Sequence, residues 1–226
     1  MVEARICVVI TAGEPVKAVD AIREVHSQGP DLIELRLDYM ENPGGLKSIR
    51  EATDLPLIAT NRSREQGGHS NLPEEERLGV LLAACDAGFE YVDVEATTEG
   101  TYSFVKEAKE RGSEVIISHH DFDGTPSRDQ LEALMTCELT NGADVCKIIG
   151  TAREQSDCLT YLSFLNDNRG VRLVCFGMGG PGAMSRIFSP VFGGEFTYAS
   201  SAVGAESAPG QLTIRDMREI YRILGI

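Results

Sequence analysis

Short β-rich apolar runs alternate with amphipathic stretches from end to end of the 226 residues, and this alternation limits the possible folds more than any other feature. Candidate strands lie at 5–11, 31–38, 56–61, 91–95, 114–121, 144–151, 171–178 and 196–200. Helical patterns separate them at 15–28, 45–53, 74–87, 101–111, 128–140, 154–168, 183–188 and 214–224. Near-continuous apolar strands are the mark of a parallel sheet covered by helices. Eight units of roughly 28 residues each predict an α/β fold of the compact (β/α)8 TIM-barrel type. The competing open, doubly wound sheet lacks support, because the turn after the first strand reads TAGEP and carries no G-x-G-x-x-G. No linker or low-complexity stretch interrupts the pattern, so residues 1–226 are expected to form a single barrel domain. Ser127 is expected to cap the helix that starts at Arg128, and Pro73 followed by three Glu suits a helical first turn.

Charge narrows the partners. The 21 basic and 35 acidic side chains give a net charge of −14. Nucleic-acid binding rests on Lys and Arg neutralising phosphates, and an anionic membrane surface selects the same residues, so neither partner is expected. The opening segment MVEARICVVIT reads as a strand without the basic flank and cleavage site of a secretory signal. Six cysteines form no C-x-x-C pair and sit mostly in apolar runs, as free buried thiols do in a reducing compartment. A cytoplasmic location is expected.

Several strands carry polar residues that a barrel lumen should not tolerate without a reason. In a barrel, alternate strand residues point inward and functional groups gather at the C-terminal strand ends. DLIELRLD puts Glu34 and Arg36 on one face, either as an internal ion pair or as a charged floor for a polar substrate. YVDVE ends with Asp93 and Glu95 on one face, and ISHHDF places His119 and His120 at a strand tip, where only one of them can face the axis. Two adjacent strand histidines therefore argue against one shared metal, and no metal site is expected.

Five of the 21 basic residues are lysines, and Lys147 alone lies in an apolar run, ADVCKIIG. In an apolar barrel its amine is expected in the neutral form, because desolvation disfavours the ammonium. Neutral amines attack carbonyls and form Schiff bases. The glycine-rich GMGGPGAMSR after the seventh strand ends in Arg186, whose planar fork suits a carboxylate or phosphate. Ser207 and Gln211 in SAPGQ, and Arg62 and Arg64 in TNRSREQGG, lie on loops at the same end.

Taken in order, IELRLD, the arginine after the third strand, VDVE, ISHHDF with GTPS, ADVCKI, GMGGPGAMSR and SAPGQ resemble the type I 3-dehydroquinate dehydratase family over nearly the whole chain. The resemblance implies a (β/α)8 lyase that dehydrates 3-dehydroquinate to 3-dehydroshikimate in the shikimate pathway of aromatic amino-acid biosynthesis, without metal or other cofactor. It implies that Lys147 forms the Schiff base, that His120 moves the protons, and that Glu95 orients His120. Glu34, Arg36 and Arg62 would hold the ring, Met178 would pack beside the imine, and Arg186, Ser207 and Gln211 would hold the carboxylate. A homodimer is also implied. The alternative is a class I aldolase, which shares the barrel and the lysine; Arg186 with Gln211 suits a carboxylate better than the phosphate such an aldolase would need.

Overall fold

The computed structural model describes residues 4–226; residues 1–3 of the opening segment lie outside the described residues. The strands are β1 (Ile6–Ile10), β2 (Leu32–Arg36), β3 (Leu57–Thr60), β4 (Tyr91–Glu95), β5 (Glu114–His120), β6 (Val145–Thr151), β7 (Leu173–Met178) and β8 (Thr197–Ala199). Each is followed by a helix: α1 (Pro15–His26), α2 (Leu46–Arg50), α3 (Glu74–Asp86), α4 (Thr101–Glu110), α5 (Arg128–Thr140), α6 (Asp157–Asp167), α7 (Ala183–Phe188) and α8 (Ile214–Leu224). All strand pairs are parallel, in the order β7-β6-β5-β4-β3-β2-β1-β8. At the remaining seam the Glu195 N–H donates to the Leu173 carbonyl at 2.9 Å, so the sheet is a nearly closed (β/α)8 barrel. Most expected elements ran a few residues past the observed ends. After β2, for example, the chain leaves the sheet into a 3-10 turn at Leu37–Tyr39.

The local signals work as expected where a side chain can satisfy a helix end. Ser127 accepts the Gln130 N–H while the Gln130 side chain accepts the Ser127 N–H, a reciprocal cap that starts α5. Cys7, Cys85, Cys146, Cys158 and Cys175 are buried free thiols, but Cys137 is exposed. The helical period explains it: Leu131, Met135 and Glu138 define the inner stripe of α5, and Cys137 falls outside that stripe.

Strand alternation sorts the lumen into layers, each built from every second strand. Leu32, Tyr91, Val145 and Phe196 line the even-strand floor, and Cys7, Ile58, Ile116 and Val174 line the odd-strand layer above it; seven of them belong to one buried apolar cluster, and the partly buried Tyr91 packs against it. Below this floor, Arg172 and Arg5 converge on Glu195, and Arg172 also reaches Glu114 and lies over the Tyr91 ring. That ionic plug is partly solvated and contributes little stability, but it covers the N-terminal mouth. Above the apolar layers the lumen becomes ionic, and there the site begins.

Candidate active site

Four side chains from the four even strands form the next layer: Glu34 on β2, Asp93 on β4, Lys147 on β6 and Tyr198 on β8. All four are buried. The Lys147 Nζ donates to Asp93 Oδ2 at 2.8 Å and to the Tyr198 hydroxyl at 2.9 Å, and lies 3.4 Å from Glu34 Oε2. Tyr198 in turn donates to Glu34 Oε2 at 2.5 Å. This corrects the expectation of an apolar surround for Lys147: the amine sits in an ionic layer, because the barrel brings the even strands to one height. Burial alone would raise the Asp93 pKa, but Arg62, Lys147 and hydrogen bonds from Lys147 and Ser118 outweigh it and hold the carboxyl below the usual range. Burial, and then the Glu34 carboxylate, push the Tyr198 hydroxyl well above its ordinary value, so it stays protonated.

Arg62 follows β3, is 4% exposed, and spans Asp93 Oδ1 at 2.8 Å and Ser118 Oγ at 2.7 Å. Its guanidinium thus braces the lysine layer from above. Arg36 at the end of β2 makes a bidentate pair with Asp38 at 2.8 and 2.7 Å, and lies 5.1 Å from the Tyr39 ring centre. It does not pair with Glu34, so the simple Glu34–Arg36 ion pair allowed by strand parity does not form.

Parity holds for the histidines: His120 lines the central cavity and His119 does not. The His120 Nδ1 is buried with no hydrogen-bond partner. Burial first, then the nearby Arg62 and Lys147 cations, hold its pKa well below 6.5, so the imidazole is neutral. Glu95, expected to orient this ring, does not touch it. Its carboxylate accepts from Arg77 at 3.1 Å and from the Ser63 N–H at 2.9 Å. The register gives the reason: Glu95 pairs with Ser118, two residues short of His120, and the buried Arg77 of α3 captures it. The polar group beside His120 is instead Gln66, whose Oε1 accepts the His120 backbone N–H at 3.3 Å. Sequence inspection missed Gln66, although it lies four residues past Arg62 in a segment already singled out.

Elsewhere on the cavity lining, a buried guanidinium forms no ion pair with any carboxylate among the described residues. Arg186 on α7 is 2% exposed; its Nε and Nη2 have no partner, and its Cζ lies 4.4 Å from the Phe176 ring centre. Burial lowers its pKa to about 10, which still leaves it charged. The loop after β8 brings Ser207 and Gln211 to the same cavity, where the Gln211 Oε1 accepts the Ser207 N–H at 2.8 Å and its amide NH2 remains a donor. This loop packs on the glycine turn: the Gly179 N–H donates to the Pro209 carbonyl at 3.1 Å, and a Cβ at Gly210, where φ is +77°, would collide with the Gly179 carbonyl. Met178 also lines this cavity.

The cavity holds about 200 Å³. That is below the roughly 300 Å³ at which drug-sized pockets begin, and suits a compact metabolite. Arg36, Arg62, Lys147 and Arg186 line it against a single lining carboxylate, Glu34, so a basic pocket sits inside an acidic protein. Among the described residues, no group of three or more His, Cys, Asp or Glu is placed to hold a metal ion. No helix of the described residues is long and apolar enough to cross a membrane. Behind the lysine strand, the wholly buried Glu138 of α5 accepts the Lys147 backbone N–H at 3.0 Å, and burial pushes its carboxyl well above the usual range.

Fold and site together define a (β/α)8-barrel protein organised around one buried lysine, a neutral imidazole and an open cationic fork. Residues 6–226 match the family model described as type I 3-dehydroquinase. The chain is 38% identical over 199 residues to the 3-dehydroquinate dehydratase of Dehalococcoides mccartyi, covering 87% of each chain. It is 32% identical to the 3-dehydroquinate dehydratase of Methanococcus maripaludis, over 97% of this chain and 99% of that one. The crystal structure of 3-dehydroquinate dehydratase from Geobacillus kaustophilus superposes with a TM-score of 0.92 at 29% identity, covering 99% of this chain and 91% of that one. The type I enzyme of Clostridium difficile, solved with covalently modified comenic acid, gives a TM-score of 0.87 at 26% identity over 99% and 94% of the two chains. This chain belongs to the type I 3-dehydroquinase family.

Proposed function

We propose that the protein dehydrates 3-dehydroquinate to 3-dehydroshikimate through a Schiff base on Lys147. The observation that carries this is the convergence of a buried amine, a neutral imidazole and an unpaired arginine fork on one cavity of small-metabolite size. The lysine amine adds to the substrate ketone and expels water, leaving an imine. Electron withdrawal by the imine acidifies the neighbouring carbon, and neutral His120 takes that proton. The same imidazolium then protonates the departing hydroxyl, and water hydrolyses the imine to release product. Glu34, Arg36 and Arg62 border the ring, and Met178 helps exclude water. Arg186, Ser207 and Gln211 face the carboxylate, for which two open arginine nitrogens are the matching donors. Glu95 has no direct part, since Arg77 holds it. The buried free thiols support a reducing, cytoplasmic setting, and assembly as a homodimer rests on the family likeness.

The product is a conjugated enone, so purified protein given 3-dehydroquinate should generate an ultraviolet absorbance at a rate proportional to enzyme. Silence with this substrate would remove the assignment and leave the class I aldolase as the reading to test.

Arg186 supplies a sharper check. Arg186→Leu is expected to raise KM by about 10- to 100-fold, the worth of a hydrogen bond to a charged group. The unliganded variant should melt no lower than the parent, because the free protein holds two buried guanidinium nitrogens unpaired. An unchanged KM would mean that the carboxylate binds elsewhere.

A further inference from the structure

We propose that Tyr198 is a catalytic residue: its hydroxyl relays the proton that Lys147 must lose before attack, and Glu34 receives it. The proposal rests on Lys147 being the nucleophile and asks what makes its amine available. An ammonium paired with Asp93 and Glu34 has no lone pair to offer a ketone.

Three observations select the route. The Lys147 Nζ, the Tyr198 hydroxyl and Glu34 Oε2 form a chain of two short hydrogen bonds, 2.9 and 2.5 Å, whereas the direct distance from Nζ to that oxygen is 3.4 Å. Asp93 is close enough to take the proton directly, but it also accepts from Arg62 and Ser118, and those donors stabilise its charge. Glu34 accepts only from Tyr198 and Lys147 among the described residues, so it is the carboxylate with fewer competing donors. Finally, the Tyr198 ring is held edge-on by Phe176 and Phe196, which fixes the hydroxyl between its two partners.

The proton count closes. One ammonium proton passes to the Tyr198 oxygen as the hydroxyl proton passes to Glu34, leaving a neutral amine, a neutral phenol and a carboxylic acid. The amine attacks the carbonyl carbon, and a second nitrogen proton moves to the former carbonyl oxygen, giving a carbinolamine. The Glu34 proton then returns through Tyr198 to that hydroxyl, the C–O bond breaks, and water leaves behind a protonated imine bearing the third proton. Tyr198 is a phenol before and after, in keeping with a hydroxyl whose ionisation is suppressed by burial and by Glu34.

The test is single-turnover trapping with borohydride and 3-dehydroquinate, with the adduct located by peptide mass. The parent protein should be trapped on Lys147; no adduct there would overturn the nucleophile assignment and the relay with it. Tyr198→Phe keeps the ring and removes only the hydroxyl. Its trapping is expected to slow by about 10²-fold at neutral pH, the lower end for a lost proton-transfer group. The deficit should shrink as pH rises, because hydroxide from solvent then takes the proton in place of the relay. Glu34→Gln should show the same pH-dependent deficit, and the double variant should be no slower than either single one. With the parent trapped and the variant's melting transition intact, trapping of Tyr198→Phe within about twofold of the parent would overturn the relay alone. So would a deficit equal at every pH, which is what a purely structural loss predicts.

Discussion

Lys147→Met should lose turnover by about 10⁴-fold or more and should yield no borohydride adduct. Methionine is unbranched and similar in length, so it fills the even-strand layer without opening a cavity. The remaining polar groups keep partners: Asp93 retains Arg62 and Ser118, and Glu34 retains Tyr198. The variant is therefore expected to fold, and its loss to report chemistry. Lys147→Arg separates two causes of that loss, since it keeps a cation beside Asp93 but supplies no nucleophilic amine; it should be as inactive as the methionine variant. The other four lysines lie on the outer helices α1, α2 and α4. Retention of more than a tenth of parental turnover by either variant, measured by enone absorbance, would remove the Schiff-base mechanism from this site.

His120→Ala should lower kcat by about 10²- to 10⁴-fold with a smaller change in KM, the pattern of a lost general base. Trapping on Lys147 should persist in this variant, because the imine forms before the carbon proton is removed. Its pH behaviour follows from the depressed pKa. A base is active when unprotonated, so the acid limb of the parental kcat/KM profile should lie well below pH 6.5. Stability carries the same sign. Between the folded pKa and 6.5 the unfolded chain binds the extra proton, so acidification in that window destabilises the parent, and His120→Ala should lose less stability over the same range. Near-parental turnover would mean that another group is the base, and Gln66, the polar neighbour of His120, cannot be one, because its amide does not titrate.

The residues most readable from sequence were those whose type clashed with their element. A lysine in ADVCKIIG and two histidines at the end of an apolar strand are anomalies that need no partner to be noticed. Tyr198 and Gln66 are not anomalies: a tyrosine suits a strand and a glutamine suits a loop. Nothing local sets them apart. Glu95 illustrates the opposite error, since a carboxylate at a strand end resembles a histidine partner until Arg77, brought in by α3, is seen to hold it.

By itself the sequence determined the order of eight βα units and the parity of each strand, and with parity the set of side chains that enter the lumen. Side-chain direction alternates with every residue, so this information is local. Only the tertiary structure decided which of those side chains share a height. Closure tilts the strands and staggers their register, so each layer of the lumen is contributed by alternate strands. The layer uniting Glu34, Asp93, Lys147 and Tyr198 joins residues as far apart as 164 positions. That stagger turned a lysine expected among apolar neighbours into one held between two carboxylates and a phenol.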